Sequence, residues 1–82
     1  MQPYPAVYLG EDGMFWVQFE PESKCFLINQ YGYVQQCAAL TDVEKVKENC
    51  QNVKLTSKEY ESLSRAFINV QKVMERIAKK YE

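Results

Sequence analysis

The sequence predicts an α+β fold: a three- to four-stranded antiparallel sheet from the first half of the chain, with a short helix and a long C-terminal helix packed on one face. Three observations carry this. Tyr60, Leu63, Phe67, Val70, Met74, Ile77 and Tyr81 recur at alternating spacings of three and four, the pattern of a helix with one continuous apolar seam. Residues 5–9 and 14–20, rich in Val, Tyr, Phe and Trp, flank Gly10-Glu11-Asp12-Gly13, whose glycines can supply the positive φ of a hairpin turn. Finally, 82 residues that are 46% hydrophobic and 26% charged make one folded domain, 1–82, near the size at which a single core just holds.

Each element follows from local pattern. In the second hairpin arm Phe15, Val17 and Phe19 alternate with Met14, Trp16, Gln18 and Glu20, giving one strongly apolar face and one mixed face. Pro21-Glu22-Ser23-Lys24 is a second turn and Cys25–Asn29 a third strand; Tyr33–Cys37 is either a fourth strand or the lead into a helix. Thr41-Asp42-Val43-Glu44 has the form of a capping box and opens a short helix over 42–50 with Val43, Val46 and Cys50 on one side. Asn52–Leu55 is a connector or a short edge strand, its lysine suited to an edge. Thr56-Ser57-Lys58-Glu59 is a second capping box, with Leu55 and Tyr60 placed as a hydrophobic staple. Glu59 and Glu61 then stand near the positive end of the long helix, and Arg76, Lys79 and Lys80 near its negative end.

A helix of about 25 residues spans roughly 37 Å, whereas strands of about six residues span roughly 20 Å. The last turns should therefore overhang the sheet, and their apolar residues Met74, Ile77 and Tyr81 are expected to form a self-association surface.

The chain has no histidine, which removes Ser-His-Asp and Cys-His nucleophile pairs and histidine metal ligands. Gly10, Gly13 and Gly32 form no phosphate-binding loop. Cys25, Cys37 and Cys50, spaced by 12 and 13, fit neither a disulfide framework nor a Cys-x-x-Cys motif. No cofactor, metal or catalytic residue is expected, and a non-enzymatic protein is. The absence of a run of about 18 apolar residues, and of the basic and apolar regions of a signal peptide at Met1–Pro5, points to a cytoplasmic protein.

Charge suggests the kind of partner. Residues 1–40 hold Glu11, Asp12, Glu20 and Glu22 against Lys24, giving −3, while residues 41–82 hold nine basic against seven acidic residues, giving +2. That lacks the dense basic stripe of a nucleic-acid binder. If Phe15, Val17 and Phe19 face the helix, Tyr8, Met14 and Trp16 point outward beside Glu11 and Asp12. An acidic, aromatic face of this kind suits a basic protein partner, such as a nuclease. Two other readings use other surfaces: a structural subunit assembling through the helix, and a single-stranded nucleic-acid binder stacking bases on Trp16 and Tyr8.

The stretch Tyr4-Pro5-Ala6-Val7, then Glu11-Asp12-Gly13, Phe15, Val17, Phe19 and Cys25, resembles the opening of HicB-like antitoxins, over about the first quarter of the chain. The resemblance implies a partial RNase-H-like fold in a small neutralising protein, an antitoxin that binds a basic RNase toxin through its sheet; small size and the lack of catalytic chemistry leave a phage- or plasmid-type inhibitor of a basic protein as the companion expectation.

Overall fold

The computed structural model describes residues 4–65 and 70–81, with only the backbone of Arg65. It has the expected α+β class, with one more strand than predicted. Strands β1 (Ala6–Leu9), β2 (Phe15–Gln18), β3 (Cys25–Ile28), β4 (Val34–Ala38) and β5 (Gln51–Val53) form one sheet in the order β4-β3-β2-β1-β5. All four pairings are antiparallel. The helices are α1 (Val43–Asn49), α2 (Ser57–Arg65) and α3 (Val70–Lys80).

Side-chain alternation sends the strand residues to two opposite faces. Val7, Phe15, Val17, Ile28 and Val53 form one core with Leu63 of α2 and Val70, Val73, Met74, Ile77 and Ala78 of α3. On the other face Cys25 and Ala38 pack with Val43 and Val46 of α1, and Trp16 and Cys50 close against them. The sheet is thus covered on both sides. The expected single helical layer becomes two because the short helix, given its apolar side by Val43 and Val46, lies on the face opposite the C-terminal helices.

The predicted long helix is replaced by two helices that fold back on each other. Lys80 Nζ lies 2.9 Å from Glu59 Oε2; along one straight helix these residues would stand about 31 Å apart. A rod of about 37 Å also exceeds the 28 × 25 × 20 Å envelope of the chain. Folding back lets both pieces of the seam lie on the sheet, so no apolar turn overhangs it. Phe67 of the seam, with Ala66, lies outside the described residues.

The start of α2 is held as its sequence predicts. Thr56 N donates to Glu59 Oε1 at 2.9 Å, and Glu59 N donates to Thr56 Oγ1 at 3.2 Å, a reciprocal capping box. The box predicted at Thr41 does not form: a 3₁₀ turn over Leu40–Asp42 leads into α1, with no side-chain cap. At the far end of the sheet, Gly32 has φ +86° and lies against α3, where a Cβ would collide with the Gln71 backbone. Only glycine satisfies both demands.

Candidate protein-binding surface

The residues expected to contact a partner divide between two environments. Tyr8 is only 3% exposed, on the face that α1 covers, and Trp16 is half-buried against the second core. The aromatic face expected to point outward from strand alternation is therefore covered at Tyr8 and partly covered at Trp16. Tyr4 and Tyr8 do carry a polar role there: with Glu44 they raise the pKa of Lys47 on α1, outweighing the opposite pull of burial.

Glu11 and Asp12 remain exposed at the β1–β2 turn, with Met14 half-buried beside them. The turn is rigidly built. Asp12 Oδ1 accepts from Met14 N at 3.0 Å, Gly10 N donates to Met14 O at 2.9 Å, and Gly13 has φ +81°. Glu11 and Asp12 join Gly10, Trp16, Asn49 and Cys50 around a groove of about 470 Å³. Burial, aided by these two carboxylates, pushes the Cys50 thiol pKa up.

The proposed self-association residues are likewise divided. Met74 and Ile77 are 0% and 1% exposed in the chain's own core, so they offer no surface to a second copy. The folded-back helices remove the overhang that would have exposed them. Tyr81 is 46% exposed and meets Phe15 edge-on, with ring centroids 5.9 Å apart.

A different surface emerges at the β4 edge. The large hydrophobic residues exposed among the described residues are Tyr31, Tyr33, Val34, Leu40 and Tyr81. All but Tyr81 lie on β4 or its immediate flanks. β4 is an edge strand whose first four residues, Val34–Cys37, are exposed. The tyrosines stand on a fixed turn: Asn29 Oδ1 accepts from Tyr31 N at 2.9 Å and Tyr33 N at 3.1 Å, and Asn29 N donates to Tyr33 O at 3.0 Å. Beside them a hollow of about 250 Å³ opens between Phe26, Tyr33, Val34 and Val70. One sequence signal marks this surface, the absence of any charged residue between Lys24 and Asp42.

No group of three or more His, Cys, Asp or Glu side chains that could hold a metal ion occurs among the described residues. No described helix is long and apolar enough to cross a membrane. No protein-family model, curated protein or solved structure matches the chain.

Proposed function

We propose that this protein is a non-enzymatic protein-binding module that takes a partner's strand at its β4 edge. The observation that carries the reading is the gathering of Tyr31, Tyr33, Val34 and Leu40, each more than half exposed, along one uncharged edge strand. An open edge presents unpaired backbone donors and acceptors in register, and strand addition uses them for affinity while flanking side chains supply selectivity. Aromatic side chains on a fixed turn are well suited as anchors, because little conformational freedom remains to be lost on binding.

A second reading rests on the acidic turn. Glu11 and Asp12 are exposed beside the Trp16 groove and have no ion-pair partner among the described residues. They would suit a basic protein, as the HicB-like resemblance implies for an antitoxin or inhibitor.

Affinity capture from the host separates the two. Wild type is compared with a Val34→Lys, Gln36→Lys variant and with a Glu11→Lys, Asp12→Lys variant. Capture lost only with the β4 lysines supports the edge reading. Capture lost only with the turn reversal assigns function to the acidic turn, and capture insensitive to both overturns both readings.

A further inference from the structure

We propose that the hollow between α1 and the β2–β3 turn is a binding site for an alkylguanidinium group, received by the side-chain oxygen of Gln18 and the carboxylates of Glu22 and Glu44. The inference goes beyond the strand-binding reading and does not depend on it.

Gln18 is the observation that carries it. It stands on β2, on the same side as Trp16, and is 1% exposed. Its Nε2 donates to Ser23 O at 2.9 Å, but its Oε1 is buried without a hydrogen-bond partner. The orientation of the amide is fixed by the turn it meets. Ser23 Oγ donates to Glu20 O at 2.8 Å and closes that turn, and Ser23 O, being a carbonyl, can only accept, so the end of Gln18 that meets it must be the amino group. The oxygen is the atom left over. A buried acceptor without a donor is uncommon in folded proteins and costly to keep, so an occupant that supplies the donor is what makes a glutamine worth keeping here.

The hollow that Gln18 lines has a volume of about 390 Å³, within the range of about 300–1,000 Å³ common for small-ligand sites. Pro21, Leu40 and Val43 give it an apolar wall and Tyr4 an aromatic one, while Glu22 and Glu44 stand exposed at its rim. One cation, Lys47, lines it as well, but its Nζ lies 3.9 Å from Glu44 Oε1 and is hydrogen-bonded to Tyr4. Glu22 has no ion-pair partner among the described residues. An amide oxygen and two carboxylates against one ammonium leave acceptors and negative charge in excess. The matching occupant is a cation with several donors on an apolar stem. Guanidinium suits the site better than ammonium: its planar fork of five N–H groups reaches several acceptors at once, it is more weakly hydrated, and its face stacks on an aromatic ring such as that of Tyr4. The group can be a free alkylguanidine or the arginine side chain of a basic protein.

The test is an NMR titration of the isotope-labelled full chain, following the Gln18 side-chain amide. The probes are n-butylguanidinium, a blocked arginine peptide and, as neutral counterpart, n-butylurea. Butylguanidinium should shift the Gln18 amide saturably, with a Kd of about 1 mM, and butylurea should bind at least about tenfold more weakly. Gln18→Met and the double variant Glu22→Gln, Glu44→Gln should each weaken butylguanidinium about tenfold, with circular dichroism melts showing that they fold; the double variant changes exposed positions only and keeps the test decisive should Gln18→Met unfold. Binding of the peptide as well as the free probe assigns the site to a protein's arginine, and binding of the free probe alone assigns it to a small guanidine; both support the proposal. No saturable shift at Gln18 overturns it and leaves an ordered water as the partner of Oε1. Equal affinity for butylurea, or binding insensitive to the variants, overturns it too. In each of these failures the β4 reading stands, because Val34 and Gln36 lie outside this hollow.

Discussion

The ion pair between Glu59 and Lys80 joins the start of α2 to the end of α3, and its strength can be measured. Glu59 is 9% exposed, and its carboxylate receives both the Thr56 N–H and the Lys80 ammonium. The Lys80 side chain is 53% exposed, so solvent screens the pair, which should be worth only about 0.5–1 kcal/mol. Loss of the capping box adds about 1 kcal/mol, and Glu59→Ala should therefore cost about 1.5–2 kcal/mol in all. A double-mutant cycle with Glu59→Gln and Lys80→Gln, read by urea denaturation, should return a coupling of about 0.5–1 kcal/mol. Burial alone would raise the pKa of Glu59, but the Thr56 and Lys80 contacts outweigh it and hold the value below the ordinary 4.5. The folded value being the lower one, this contribution is complete above about pH 4.5 and is lost as pH falls through the folded value. A coupling within about 0.3 kcal/mol of zero would refute a stabilising contact between Glu59 and Lys80.

The remaining predictions concern glycine, core and thiol. Gly13→Ala, strained by φ alone, should cost about 1–2 kcal/mol, whereas Gly32→Ala must also displace Gln71 and should cost clearly more in the same chemical-denaturation experiment. Met74→Ala should cost about 2–5 kcal/mol as a cavity in the core. Ile77→Asp should abolish the folded circular dichroism signal at every protein concentration, where an interface residue would change only association. With a maleimide on dilute native protein, exposed Cys37 should react first, Cys50 more slowly, and Cys25 only on unfolding, because Cys25 is buried and burial raises its pKa. Equal labelling rates at Cys25 and Cys37 would contradict the second core.

Much of the local structure was legible because it is set by neighbours in sequence. The β1–β2 hairpin follows from Gly10-Glu11-Asp12-Gly13 and the alternation after it, and the start of α2 follows from Thr56 and Glu59. The helix break was not legible, because Tyr60–Tyr81 keeps the same three-and-four spacing whether one helix or two lies on the sheet. Periodicity records which side of a helix is apolar, and both α2 and α3 turn that side to the same core. The burial of Tyr8 and Trp16 was hidden for a related reason. The alternation correctly put them on the face opposite Phe15 and Val17, but whether that face meets water depends on where Val43 and Val46 dock. Strand β5, Gln51–Val53, is too short for any period, which left Asn52–Leu55 open between connector and edge strand, and pairing with β1 makes it the edge strand, shifted by one or two residues.

The two edges of the sheet differ in how far they discourage further pairing. With α2 and α3 on one face and α1 on the other, the edges of the sheet among the described residues are the outer sides of β5 and β4. β5 presents three residues and is followed at once by Lys54, so it is a short edge with a charge at its end, a form that discourages further pairing. β4 presents five residues and no charge. Its bulge opposite Leu27 and Ile28 guards the start of the strand but leaves Gln36–Ala38 in regular register. The aromatic side chains follow the same asymmetry, since Tyr31 and Tyr33 are exposed beside β4 while Tyr8 is buried between β2 and β5. One edge is blunted and the other left longer and uncharged with exposed tyrosines on a turn beside it, and that difference is what supports the proposed binding at β4.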